Sequence, residues 1–125
     1  MPVLPDKLVF VYNARSGLLH AFIDLLHKNL SPRTYPCQLC AVTYNNTGML
    51  PDWKQFARQF PVPVIFLHKD ELIEAYGQAD YLLPAAYADF GGVLHSFITA
   101  DAMRAVRTVE ELKALTQQQF ANYRA

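Results

Sequence analysis

Two short, strongly apolar runs frame the first half of the chain, and a pattern of helical period separates them. Lys7-Leu8-Val9-Phe10-Val11-Tyr12 is rich in β-favouring residues and is bounded by Asn13 and Gly17. Its lack of polar alternation predicts a strand covered on both faces. Val64-Ile65-Phe66-Leu67 has the same character. Between them Leu18, Leu19, Phe22, Ile23, Leu25, Leu26 and Leu30 recur at helical spacing, and Ser31-Pro32 ends that pattern, because proline disfavours helical geometry in the residue before it. Buried strands joined through helices require an α/β layer structure, with the strands paired in parallel through a crossover.

The remaining elements follow from local signals. Tyr35 to Tyr44 carries Cys37, Leu39, Ala41 and Thr43 at alternate positions and reads as extended, closed by the turn cluster Asn45-Asn46-Thr47-Gly48. A helix starts near Pro51, with Trp53, Phe56, Ala57 and Phe60 as its core-facing stripe, and stops at Pro61-Val62-Pro63. Asp70 to Tyr76 reads as a short helix, with Gly77 placed for a left-handed C-terminal residue. Gly91-Gly92 joins two strand-like runs, Pro84 to Phe90 and Val93 to Thr99, as a tight hairpin. Thr108, with Glu111 three residues on, opens a last helix as a capping box.

Composition limits what the domain does. The 125 residues suit one domain spanning 1–125, and 52% hydrophobic content supplies a core rather than a disordered chain. Eleven Lys+Arg balance eleven Asp+Glu, which removes the broad positive field of a non-specific nucleic-acid binder. No apolar run approaches the roughly 20 residues that cross a bilayer. Met1 to Asp6 has neither a positive nor an apolar leader region, so a cytoplasmic location is expected and no membrane partner. No cofactor motif is present, and none is expected.

The succession strand, helix, extended segment, helix, strand, helix, hairpin, helix resembles the thioredoxin-like fold. The residues that carry it are Val64 to Leu67, the short helix ending Ala75-Tyr76-Gly77, Leu83-Pro84 opening a hairpin, and the closing helix. The resemblance implies a mixed central sheet in a three-layer sandwich, with residues 32–60 inserted as an extended segment plus helix. It also implies a cis-proline at Pro84, starting the third core strand. The stretch Ser31 to Cys40 further resembles a bacterial group that implies no activity. One departure bears on function. The family's reactive Cys-x-x-Cys lies between the first strand and its helix, where this chain has Asn13-Ala14-Arg15-Ser16, and the pair here, Cys37 and Cys40, falls in the insertion.

Three readings are open for Cys37 and Cys40. They act as a thiol redox or redox-sensing pair, with an unknown protein or small thiol as partner. They are structural cysteines of a non-catalytic binding module. Or they hold a metal with histidine ligands, for which His20, Asp24 and His27 share one helical face. A redox pair needs a stabilised thiolate, and Lys28 or Arg33 offers the charge. On that reading Pro36 sets Cys37 at an irregular, exposed position to attack, while Cys40 is buried and resolves. Two further segments lie at strand-to-helix turns. His68-Lys69-Asp70-Glu71 is either a charged helix start or a ligand site; Asn13, Arg15, Ser16 and Gly17 offer amides and a cation to an anion, or Ser16 simply caps a helix.

Overall fold

A computed structural model describes residues 4–13, 38–45, 48–77 and 82–124. Strand β1 (Lys7–Tyr12) is the axis of a four-stranded sheet ordered β4-β1-β5-β6, where β4 is Val64–His68, β5 is Ala85–Phe90 and β6 is Val93–Ile98. β1 pairs in parallel with β4, from Leu8↔Val64 to Tyr12↔His68, and antiparallel with β5, from Lys7↔Asp89 to Val11↔Ala85. β5 and β6 form the hairpin, with Phe90↔Val93 flanking Gly91 and Gly92 at φ 63° and 91°. Both glycines occupy the left-handed region that a two-residue hairpin turn demands. The sheet is therefore mixed, as expected, and Leu83–Pro84 is cis.

Among the described residues, six helical and hairpin elements cover the sheet: α1 (Gln38–Thr43), the small hairpin of β2 (Tyr44–Asn45) and β3 (Gly48–Met49), α2 (Pro51–Gln59), α4 (Ala100–Ala105) and α5 (Val109–Arg124) contribute to one side, and α3 (Lys69–Tyr76) to the other. Leu8, Phe10 and Tyr12 of β1 join Leu39, Cys40 and Val42, Trp53, Met103, and Leu112 and Phe120 in the larger core cluster. Val9 and Val11 meet Leu72 of α3 together with Ala85 and Tyr87 on the opposite face. This is why β1 reads as an unbroken apolar run: every residue from Leu8 to Tyr12 is buried, three facing one layer of helices and two the other.

Local chemistry fixes the ends of these elements. Pro51 opens α2, and Phe60 closes it by donating its backbone N–H to Ala57. Gly77, at φ 73°, closes α3 with its amide on the Ile73 carbonyl. The Thr108 and Glu111 capping box forms as read: the Thr108 amide donates to Glu111 Oε1 at 3.0 Å, and the Glu111 amide donates to Thr108 Oγ1 at 3.1 Å.

Two expectations are corrected. The segment expected to be extended over Tyr35 to Tyr44 is helical over residues 38–43, which form α1, so the inserted region holds a helix, a small hairpin and a second helix in its described part, residues 35–37 lying outside it. Alternation of Leu39, Ala41 and Thr43 mimicked a strand, yet a helix buries Leu39, Cys40, Val42 and Thr43 together, and the Thr43 hydroxyl bonds the Leu39 carbonyl one turn back at 2.7 Å. The second hairpin strand stops at Ile98. Thr99 instead caps α4, its hydroxyl accepting the Ala102 amide at 3.1 Å. The helix expected over Leu18 to Leu30 lies outside the described residues.

Candidate functional site

Parallel pairing of β1 with β4 sets Tyr12 and His68 side by side at the C-terminal ends of both strands, the end at which open α/β sheets gather ligands. Antiparallel pairing of Val11 with Ala85 brings Pro84, one residue earlier in the chain, to the same end. α1 and β2 deliver Thr43 and Tyr44 to this corner. The Tyr12 ring lies 5.4 Å from that of Tyr44 and 5.7 Å from that of His68.

His68 is held from one side. Glu71 Oε1 accepts the His68 backbone N–H at 2.8 Å and lies 2.6 Å from His68 Nδ1. Its backbone bond from His68 holds the Glu71 carboxyl below its usual range, burial opposes this, and the His68 side chain reinforces it. An ionised carboxylate only accepts, so Nδ1 donates to Glu71 and Nε2 is the nitrogen left to face the corner. His68 Nε2 is buried and has no hydrogen-bond partner among the described residues. The charged helix start foreseen for His68 to Glu71 is thus real, and it also orients an imidazole.

The Tyr12 hydroxyl is likewise buried without a partner. The Thr43 and Tyr44 hydroxyls flank it but stop short of hydrogen-bond geometry, Thr43 being engaged with Leu39. Burial pushes the Tyr12 phenol well above its ordinary value, with Tyr44 adding to the rise. Burial also raises Tyr44, and the Glu71 charge contributes in the same direction. Both phenols stay protonated at neutral pH. The corner therefore combines an imidazole with phenol hydroxyls, a set suited to fixing a small polar group. Nothing in the sequence pointed to Tyr12, because its proximity to His68 depends on the parallel register.

Of the cysteines, Cys40 sits on α1, fully buried, and is disulfide-bonded. The sequence holds one other cysteine, Cys37, which lies outside the described residues. Three residues after Cys40, the same helix carries Thr43, whose hydroxyl flanks that of Tyr12. His20, Asp24 and His27, and Arg15, Ser16 and Gly17, also lie outside the described residues. Among the described residues no group of three or more His, Cys, Asp or Glu side chains is placed to hold a metal ion, and no helix is long and apolar enough to cross a membrane. Compared with known protein families, curated proteins and solved structures, the chain matches none.

Proposed function

We propose that this chain is a thioredoxin-like thiol–disulfide protein whose working pair is Cys37 and Cys40. The observation that carries the reading is the disulfide at Cys40, on a helix that packs into the same core cluster as the central strand. Side chains three apart in a helix share a face, whereas in a strand they part. Cys40 lies on a helix that begins at Gln38, the residue after Cys37 in the sequence, and not on the strand expected there. The parallel β1–β4 pair, the antiparallel β5–β6 hairpin and Pro84 at the start of β5 support the thioredoxin-like part of the proposal.

In the reducing direction, the Cys37 thiolate attacks one sulfur of a partner disulfide. A mixed disulfide forms and the partner's other sulfur leaves as a thiolate. The Cys40 thiolate then attacks Cys37 Sγ, closing the internal disulfide and releasing the second partner thiol. Two electrons pass from the cysteine pair to the partner, and the two thiol protons end on the partner's thiols. Burial of Cys40 suits the resolving role, since an attacking thiolate needs access to its target.

A Cys40→Ser variant tests this. It is expected to accumulate a mixed disulfide with oxidised glutathione at Cys37, while Cys37→Ser accumulates none. Equal and slow labelling of both positions in the reduced wild type would overturn the assignment. One observation favours a second reading, a non-catalytic module with structural cysteines: Cys40 is completely enclosed among apolar side chains. That reading predicts that reduction lowers stability without any exchange with added disulfides.

A further inference from the structure

Beside β4, the outer strand of the sheet among the described residues, lies a cavity of about 400 Å³ that α2 and the β2–β3 hairpin also line. Val64 and Phe66 form its floor, Tyr44 and Met49 one wall, and Lys54 and Arg58 stand on α2 above it. Lys54 and Arg58 are four apart on the helix and so share a face. Both are exposed, and neither is paired with a carboxylate among the described residues. The one acid of α2, Asp52, is already committed to Lys113 at 2.6 Å. A volume of this size takes a ligand of about twenty non-hydrogen atoms. An aromatic lining under two cations that no carboxylate of the described residues pairs favours a flat, negatively charged one: the rings offer stacking area and the cations a counter-charge.

We propose that this cavity binds a small planar aromatic anion, with its ring system against Phe66 and Tyr44 and its acidic group between Lys54 and Arg58. The proposal is independent of the cysteines. Another apolar cavity of comparable size, about 340 Å³ between α2 and α5, is lined by Phe56, Phe60 and Phe120 with no charged side chain among the described residues. It provides an internal comparison, because it would take the ring without preferring the charge.

The probes are anilinonaphthalene sulfonate and its uncharged relative N-phenylnaphthylamine, titrated by fluorescence against the folded protein at low salt. Wild type is expected to bind the sulfonate about tenfold more tightly than the neutral ring, the order expected of two partly solvated charge contacts. In the double variant Lys54→Ala/Arg58→Ala that ratio falls to about one, while affinity for the neutral ring and the melting temperature stay at wild-type values. Amide shifts on binding are expected at Val64 and Phe66. The proposal is overturned by equal affinities in the wild type, by a ratio that survives the double substitution, by binding of neither probe, or by shifts centred on Phe60 and Phe120.

Discussion

Replacing Asp89 with asparagine keeps the shape of the side chain and removes its charge, at a point where three groups converge. Asp89 Oδ2 accepts the Tyr76 hydroxyl at 2.6 Å, Oδ1 accepts the Gly92 amide at 2.7 Å, and Lys7 Nζ stands 4.0 Å away. The carboxylate thus ties the end of α3 and the hairpin turn to β5. Burial acts to raise its pKa, but the Tyr76 and Gly92 hydrogen bonds, with Lys7 behind them, outweigh burial and hold it below the usual range. An asparagine amide accepts through one atom only, so one of the two donors faces an NH₂ group instead. Hydrogen bonds to a charged acceptor contribute about 1.5–3 kcal/mol and neutral ones about 1. The Asp89 side chain is only 5% exposed, but Lys7 and the Gly91-Gly92 turn beside it are open to solvent, so screening favours the lower end. The expected loss for Asp89→Asn at pH 7 is about 2 kcal/mol, read as a lower urea midpoint at unchanged slope. The folded carboxyl titrates below its unfolded value of about 3.9, so its contribution is complete above that value and disappears as pH falls through the folded pKa. Wild type and variant must therefore converge in acid. Glu71 titrates in both proteins and cancels from the difference. A variant as stable as wild type at pH 7, or a gap undiminished at pH 2.5 to 3 (about one unit below the unfolded value), would refute the reasoning.

Two more predictions concern backbone and core. Gly77→Ala meets no atom within 4 Å but must keep φ at 73°; the cost is about 1 kcal/mol of conformational strain, measurable by urea denaturation and absent only if α3 ends differently. Trp53, the single tryptophan, is fully buried against Phe10 at 5.3 Å and Phe56 at 5.4 Å; its emission is expected to be blue-shifted and insensitive to acrylamide, with water-like emission contradicting the packing of α2.

How much of this was legible in the sequence varies with the range of the interaction responsible. Lys7 to Tyr12 and Val64 to Leu67 announce themselves because strands covered on both faces need continuous apolar runs, and Gly91-Gly92 and Thr108 with Glu111 are local signals that act within a few residues. α1 escaped because its six residues are too few to display a helical period, and Leu39, Ala41 and Thr43 happen to alternate. α4 escaped for the same reason: only the Thr99 cap, with Asp101 in the first turn and Arg104 in the last, marks it. The corner of Tyr12, Tyr44 and His68 was half legible. Glu71 three residues after His68 was visible as a helix start, but Tyr12 joins them only through the β1–β4 register, which no local pattern encodes. The cavity under Lys54 and Arg58 likewise needs the fold, since those residues read simply as the solvated face of α2.

The most direct test of the redox proposal is the equilibrium of the cysteine pair with glutathione. Protein is incubated across a range of reduced and oxidised glutathione, quenched in acid, alkylated and weighed. The account predicts one reversible transition between a form with two labelled thiols and one with none, tenfold in ratio for about every 30 mV as a two-electron couple requires, with the same Trp53 emission at both ends. Reduction that occurs only as Trp53 becomes exposed to water, or a pair that never reaches equilibrium with glutathione, would contradict it.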